Sequence, residues 1–533
     1  MLLACIGTGP AAAQAGGRVI PASALVAQIR AGQTVDEQDV TVAGTVDLRS
    51  IPTVPRPIRC LDCDFTGKLI APDVVFSRVV VLSGGHFFDT VDLRGAVFQE
   101  GLFLRTSSRP AELDRFSLFS LATFGTAAAF DGARFMDEGN FTSARFLGEA
   151  SFVGANFRGV ARFTQASFEG SALFSGTRVP ADDVSVPTCA VPIGGTFGTV
   201  AVFARAVFAS EADFRQRCFA RGADFRSATF QSRANFSLGQ LNGLAAFDDA
   251  SFQGDALFLA TRFGARASFV RVAAARSLDF EDANFHGISD LSGVAVSGSL
   301  SFRNTSFGGA MVMPNVIAGD IEMDPSAVQG VVGVGNREHA LGLIETSSKN
   351  RGELAVANEA HYELLSLEND QASGVTKWLD AAFYRGIAGY LVRPMHPLGA
   401  FLILLALAGF ARAVTRRRRE GKRVRSHAKA RTTANPRPPP ARRPARHRLK
   451  GAPLVVVKWL SAIFEGVGDT VGVAFRRKAQ VELGDPEQVR SYVAAGIRWS
   501  EYLAFKVLIA LFVLCLASSN ATLRQLLNSV TGS

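Results

Sequence analysis

The feature that most constrains this chain is a register of phenylalanines whose spacing alternates between five and six residues. One run contains Phe130, Phe135 and Phe141, and the same rhythm resumes after a break at Phe197. An α-helix has a period of 3.6 residues and a strand a period of two, so neither gathers this register into one continuous apolar face. The repeat is therefore about 11 residues long, which predicts a short extended segment and a turn, repeated many times.

A second register of small residues lies two positions before the rings, as in Ala155-Asn156-Phe157. Residues two apart in an extended segment point to the same side, so both registers are predicted to face the interior. The chain has 42 Phe but 5 Tyr and 3 Trp, which indicates sites filled by a ring without a polar atom. The predicted repeat core comprises Phe130, Phe135, Phe141, Phe146, Phe152, Phe157, Phe163, Phe168, Phe208, Phe214, Phe219, Phe225, Phe230, Phe236, Phe247, Phe252, Phe258 and Phe263.

Four triplets fit the pattern A-(D/N)-(L/F)-x-x especially well, namely Ala155-Asn156-Phe157, Ala223-Asp224-Phe225, Ala234-Asn235-Phe236 and Ala283-Asn284-Phe285. On these residues the sequence resembles the pentapeptide-repeat family. The resemblance implies an all-β solenoid, a right-handed quadrilateral β-helix with Phe and the preceding Ala inside. The sixth residue of alternate repeats departs from the family pattern. It predicts a longer coil, of about 22 residues where four regular repeats give about 20, with regular bulges on alternate faces.

The solenoid is predicted over 46–335, in roughly 13 coils stacked about 4.8 Å apart. Residues 16–45 are predicted to form an N-terminal helical cap, with a helix over Pro21–Arg30. Two proline-containing segments, 106–114 and 175–195, interrupt the rhythm. We expect them to loop out of the rod and to be candidate binding elements.

The remainder of the chain changes composition after Gly335, where Phe becomes rare and Ala, Leu and Glu dominate. An α-helical hairpin and a two-span helical membrane region are predicted to follow the solenoid. The predicted segments outside the solenoid and its cap are an export-signal remnant at 1–15, the hairpin and a juxtamembrane amphipathic helix at 336–394, a first membrane span at 395–414, a basic disordered cytoplasmic linker at 415–451, amphipathic or interfacial helices at 452–500, a second span at 501–520 and a tail at 521–533.

The orientation follows from the charges beside the predicted spans. Residues 412–450 contain 16 Lys or Arg and one acidic residue, Glu420. Positive charge near a span stays cytoplasmic, so the solenoid is predicted outside, as the small-residue site Ala13-Gln14-Ala15 of an export signal also requires. The expected localisation is a bacterial cell membrane, multi-pass, with 412–450 against the anionic inner leaflet. Lipidation at Cys5 and entry of 453–475 into the bilayer stay open.

The sequence shows no catalytic constellation. His86, His286 and His339 are scattered without metal-ligand spacing, so no metal, cofactor or enzymatic activity is predicted. Cys60 and Cys63 form an isolated CxxC, which predicts a local disulfide, a redox pair or simply inward-facing side chains.

The function predicted from these features is an extracytoplasmic scaffold or binding module. Its expected protein partner would contact the solenoid faces or the segments 106–114 and 175–195. A regulatory or sensor part of a membrane channel or transporter is the first alternative. A cytoplasmic gyrase-binding DNA mimic is the second, but residues 46–335 carry 25 basic and 29 acidic side chains, and mimicry of DNA requires a strongly acidic rod. Nucleic acid is disfavoured as a partner.

Overall fold

The solenoid prediction is confirmed by a parallel β-solenoid of about 13 turns, followed by helices. Each turn contributes four short strands, which stack in four columns that we call faces 1 to 4 in chain order. Strands of one face pair in parallel with the strand one coil later, as Phe135 does with Phe157 and Phe208 with Phe230. The computed structural model describes residues 18–176, 189, 195–371, 377, 398–407, 409–410 and 506–507.

Faces 1 and 2 are separate sheets of 13 and 12 strands. The strands of face 1 are Arg18–Pro21, Val40–Ala43, Asp64–Phe65, His86–Phe87, Glu112–Leu113, Arg134–Phe135, Asn156–Phe157, Thr196–Phe197, Cys218–Phe219, Gln240–Leu241, Arg262–Phe263, Asn284–Phe285 and Ser306–Phe307. Those of face 2 are Val46–Asp47, Leu69–Ile70, Val91–Asp92, Ser117–Leu118, Gly139–Asn140, Ala161–Arg162, Ala201–Val202, Gly222–Asp224, Leu244–Ala246, Ala267–Ser268, Ser289–Asp290 and Met311–Val312.

Faces 3 and 4 form one sheet of 23 strands, because the last two strands continue around the corner from face 3 to face 4. Those two strands are Ala295–Ser301 and Ile317–Glu322. The other strands of face 3 are Thr53–Val54, Val75–Phe76, Val97–Phe98, Thr123–Phe124, Arg145–Phe146, Ser167–Phe168, Val207–Phe208, Thr229–Phe230, Ser251–Phe252 and Ala273–Ala274. The other strands of face 4 are Val35–Gln38, Ile58–Leu61, Val80–Val81, Leu102–Phe103, Ala127–Ala129, Glu149–Ser151, Ala172–Leu173, Ala212–Asp213, Ala234–Asn235, Ala256–Leu257 and Leu278–Asp279.

The sixth residue of alternate repeats lies in a corner, so the expected bulges on alternate faces are wrong. The five-residue step from Phe163 to Phe168 passes through a tight turn, and the six-residue step from Phe168 to Phe174 passes through a wider bend. Since both corners recur at the same places in every turn, the strands keep their register. Among the strand pairs of the described chain, a register shift occurs only between Val296 and Ser299.

The tight corner places one residue of each pair of repeats in the left-handed region of backbone conformation. Glycine serves at some of these positions, such as Gly132 with φ of 68°, but Leu121 and Leu238 have φ of 63° and 60°. A side chain with a Cβ costs roughly 1–2 kcal/mol in this conformation. The stack therefore tolerates strained corners because the core holds them.

The rings form columns along the rod axis. Phe152 stacks in parallel on Phe130 and Phe174, each with a centroid distance of 4.8 Å, and meets Phe141 and Phe163 edge-on at 5.3 Å. Two columns from opposite faces thus interlock as alternating edges and faces, an arrangement that aromatic quadrupoles favour. All 18 predicted core phenylalanines are buried, with exposures of at most 1%.

The first coils pack differently, because aliphatic side chains occupy many of the ring positions. Leu82 and Leu93 take the places that Phe130 and Phe119 take in later coils. An apolar cavity of about 30 Å³ lies among these side chains and the cap helix residue Leu25. The smaller side chains therefore leave space that the rings fill elsewhere.

Helices cover both ends of the solenoid. Helix α1, Ala22–Arg30, buries Leu25 and Ile29 over the first coils. At the other end a 3-10 helix, Pro325–Gly330, leads into α2, Val334–Arg351, which packs on the last strand. Ser347 Oγ there accepts the Ile321 N–H at 3.0 Å.

A second compact unit of the chain begins at Glu353, and its first helix, α3, spans Leu354–Gln371. No helix in the described part of the chain is long and apolar enough to cross a bilayer. Of the predicted spans 395–414 and 501–520, only 398–407, 409–410 and 506–507 are described, as helix. The rest of both spans lies outside the described residues, so the two-span region stays a prediction. The segments 1–15, 415–451, 452–500 and 521–533 also lie outside them.

Candidate functional site

Both interruptions of the repeat lie at the same corner of the solenoid, between face 4 and face 1. Phe87 pairs with Leu113 and Phe157 pairs with Phe197, so the partners at both places lie farther apart in the chain than in a regular coil. The excess over one coil corresponds to 107–110 in the first insertion and to 177–194 in the second. Their roots lie three coils apart, or about 14 Å at the usual spacing between strands. This corner and the adjoining face 1 are the candidate site.

The first insertion lies against the rod, so the expectation that it loops out is wrong. Arg109 Nε donates to the Gly84 carbonyl and Nη2 to the Asp62 carbonyl, both at 2.8 Å, and Arg109 also pairs with the Asp64 carboxylate. Ser107 Oγ donates to Asp62 Oδ2 at 3.3 Å. One arginine thus attaches the whole insertion to the two preceding coils, while Ser107 remains exposed.

The second insertion is attached to face 1 by a disulfide that the sequence analysis missed. Cys189 is bonded to Cys218, with their Cα atoms 5.7 Å apart, and the Cys189 N–H donates to Gln240 Oε1 at 3.1 Å. Cys189 is the one residue of 177–194 that the structure describes. Cys218 directly precedes the inward Phe219, so it points outward. This position in the repeat was the available sequence signal that Cys218 lies on the surface.

A buried cation lies beneath the root of the second insertion. Arg217 is fully buried, and its guanidinium stacks on the Phe197 ring at 4.3 Å. Its Nη2 donates to the Ala155 carbonyl at 2.6 Å and its Nη1 to the Phe152 carbonyl at 3.5 Å. Desolvation by burial lowers the pKa of Arg217 to about 9. Even so, the side chain is charged at neutral pH, and the two carbonyls and the ring solvate it.

Beside the first insertion, face 1 carries a polar group around His86. His86 Nε2 lies 3.0 Å from Asp114 Oδ2. The His86 ring packs on the exposed Phe88 ring, with the two ring centroids 3.8 Å apart. Within the described chain no group of three or more His, Cys, Asp or Glu side chains could hold a metal ion. The arrangement around His86 therefore places an exposed ring, Phe88, beside polar side chains on face 1.

Cys60 and Cys63 are joined by a disulfide with Cα atoms 5.7 Å apart. Both are buried, with exposures of 1% and 0%, since Cys60 occupies a ring position and Cys63 the small position before Phe65. Thiol exchange requires access to sulfur, so this geometry favours an interior cross-link over a redox pair.

Some surface charges of the rod pair within one coil, as Arg94 does with Asp92, and others pair between neighbouring coils. Examples of the latter are Arg162 Nε with Glu138 at 2.7 Å and Arg233 Nη2 with Glu211 at 2.6 Å. These latter pairs join residues about one coil apart, so they form along the rod axis and leave no continuous acidic stripe at these positions. A DNA-like charge pattern is therefore disfavoured.

Searches against models of protein families, curated proteins and solved structures found no match. The likeness to pentapeptide repeats therefore depends on the repeat itself, and a function can be inferred only from the geometry of the corner.

Proposed function

We propose that the chain is a membrane-anchored pentapeptide-repeat protein acting as an extracytoplasmic scaffold, and that its partner binds the corner between faces 4 and 1. The observation that carries this proposal is that both insertions occur at that one corner. Insertions without a role would be expected at any of the four corners. A rigid scaffold with loops at one edge is a common arrangement for binding.

Two features support the location. The disulfides Cys60–Cys63 and Cys189–Cys218 suit an oxidising compartment. The basic segment 412–450 suits the cytoplasmic side of a membrane by the positive-inside rule.

The location is tested by adding protease to spheroplasts that carry the full-length protein with a tag at each end of the solenoid. We expect degradation of the repeat region from outside and protection of the arginine-rich linker. Protection of the repeats with cleavage of the linker would refute the topology.

The binding corner is tested with a photoreactive residue at Ser108, and with a matched control at Ser227, an exposed serine at the corner between faces 2 and 3. We expect a discrete cross-linked product from Ser108 in the native membrane, and its loss when unmodified protein is supplied in excess. The control position should give none. Equal products from both positions would contradict a dedicated corner.

The alternative, a sensor part of a channel or transporter, predicts conductance or flux that depends on this chain. Reconstitution of the purified full-length protein in a planar bilayer distinguishes it, because a scaffold carries no current.

A further inference from the structure

The position of Arg217 is reserved for small residues in the other coils of this corner. The corner precedes each face 1 strand, and its residue points inward beside the ring column. The residues that occupy it are Cys63, Gly85, Ala111, Ala133, Ala155, Gly195, Arg217, Gly239, Thr261, Ala283 and Thr305. Arg217 has no carboxylate partner among the residues that the structure describes, so this long cation is the costly exception at such a site and requires a compensating contact.

Near Arg217, one backbone hydrogen bond that the regular coils form is absent. In regular coils the corner carbonyl accepts the N–H of the first face 1 residue in the next coil, as Ala133 O accepts from Asn156 N at 2.8 Å. The equivalent donor for Ala155 O is the Thr196 N–H, and in the described chain that bond is not formed. The next bond, from Cys218 N to Gly195 O, is stretched to 3.5 Å. The insertion therefore displaces the chain at its root and leaves the Ala155 carbonyl without its usual donor.

Arg217 supplies that donor. It lies two coils after Ala155 in the chain, at the same corner position. Its side chain passes Gly195, where an added Cβ would lie 2.9 Å from Nη1, and its Nη2 reaches Ala155 O. A buried carbonyl without a donor costs roughly as much as a lost hydrogen bond, so this contact repairs the ladder.

The insertion also has the geometry of a removable segment. Gly176 Cα lies 2.8 Å from the position of a Cβ on Gly195, so the two glycines are neighbours in space. Joining them gives Phe174 and Phe197 the five-residue step of a regular tight corner. The same junction restores the one-coil separation of Phe197 from its strand partner Phe157.

From these observations we infer that Arg217 is a positioning residue for the 177–194 insertion: it replaces the backbone donor that the insertion displaces, and it is needed only while the insertion is present. The inference concerns the root of the insertion and holds whether or not the corner binds a partner. It predicts that Arg217 stabilises the natural chain and no longer does so when the insertion is removed.

The test compares Arg217→Ala in two full-length backgrounds. One is the natural chain, and the other lacks 177–194, with Gly176 joined to Gly195 and Cys218→Ser to remove the free thiol. In the natural chain Arg217→Ala should lower the melting temperature by about 2–4 °C, whereas in the excised chain it should leave it unchanged or raise it. An equal loss in both backgrounds, or an excised chain that does not fold, would overturn the inference.

A second measurement locates the effect. Arg217→Met keeps a long side chain but removes the donors. Amide hydrogen exchange should accelerate at Thr196, Phe197 and Cys218, while the amides of the regular coils near Phe252 keep their protection. Arg226→Met, at a surface arginine, is the control. It should change neither the exchange of the root amides nor that of the regular coils. Uniform acceleration along the rod, or none at the root, would show that Arg217 merely fills space.

Discussion

The first coils and the later coils of the solenoid have the same backbone but different cores. From Phe119 onward, parallel rings stack about one coil apart and interlock edge-on with the opposite column. Before that point rings stack on faces 1 and 3, as Phe65 does with Phe87, but faces 2 and 4 carry Leu82, Leu93 and other aliphatic side chains, which help to line a cavity of about 30 Å³. The difference shows that the coil requires an apolar side chain at each inward position, whereas dense packing requires the ring.

The largest expected effect compares truncation in the two regions. Phe152→Ala should cost about 3–5 kcal/mol of unfolding free energy, because six rings lose their contacts with Phe152. Leu82→Ala, at the equivalent position, should cost about 2–3 kcal/mol, since its neighbours already leave space. Denaturant titration of the full-length protein measures both. Equal costs would indicate that the rings add nothing beyond burial.

Filling the cavity sharpens the same comparison. Leu82→Phe places a ring in register with Phe130 and should raise the unfolding free energy by up to about 1 kcal/mol. Leu82→Met is the control, because it conserves volume and should change little. A loss of stability in Leu82→Phe would mean that the first coils cannot admit a ring without backbone movement.

The corners should respond alike in both regions, since their strain is local. Leu121→Gly lies near the aliphatic coils and Leu238→Gly among the rings, and each should stabilise by about 0.5–1 kcal/mol because glycine accepts positive φ. The opposite change, Gly132→Ala, should destabilise, as its Cβ would lie 2.3 Å from Thr106 Oγ1. Thermal unfolding followed by circular dichroism checks the three variants. Different gains for the two leucines would show that the core sets the corner strain.

The smallest expected effect concerns the surface. Hydrogen bonds from Arg94 lower the pKa of Asp92, so this carboxylate contributes stability above the unfolded pKa of about 3.9 and loses it as the pH falls through the lower folded pKa. Asp92→Asn should cost under about 1 kcal/mol at pH 7 and less at pH 2. Asp249→Asn, among the ring-packed coils and more exposed, should change less. Melting curves at both pH values test this, and a cost that is undiminished at pH 2 would contradict the charge-based reason.

The solenoid could be predicted because the two registers describe the interior almost completely. Phe and Ala two residues apart specify which side chains face inward, and the alternating step specifies the length of the coil. The fate of the sixth residue could not be predicted, since spacing alone does not distinguish a bulge within a strand from a wider corner. The left-handed corners were visible where Gly, Asp or Asn occupies them, as at Gly132, but hidden at Leu121 and Leu238.

The candidate site was predicted only in part. The two breaks were visible, but the common corner depends on how many faces precede each break, which requires the coil geometry. The Cys189–Cys218 disulfide joins residues 29 apart across a break, so its pairing could not be derived from spacing. Arg217 did leave a signal, since a large charged residue interrupts the small register one coil after an insertion.

Because both insertions occur at one corner, the number of coils between them sets the distance between their roots. Their roots are separated by whole coils, so the distance between them can change only in steps of about 4.8 Å, by gain or loss of one complete turn of the chain. Each such step would leave both roots and their arginine contacts intact. Related chains could therefore adapt to partners of different length by duplicating or deleting one coil, with no redesign of either loop.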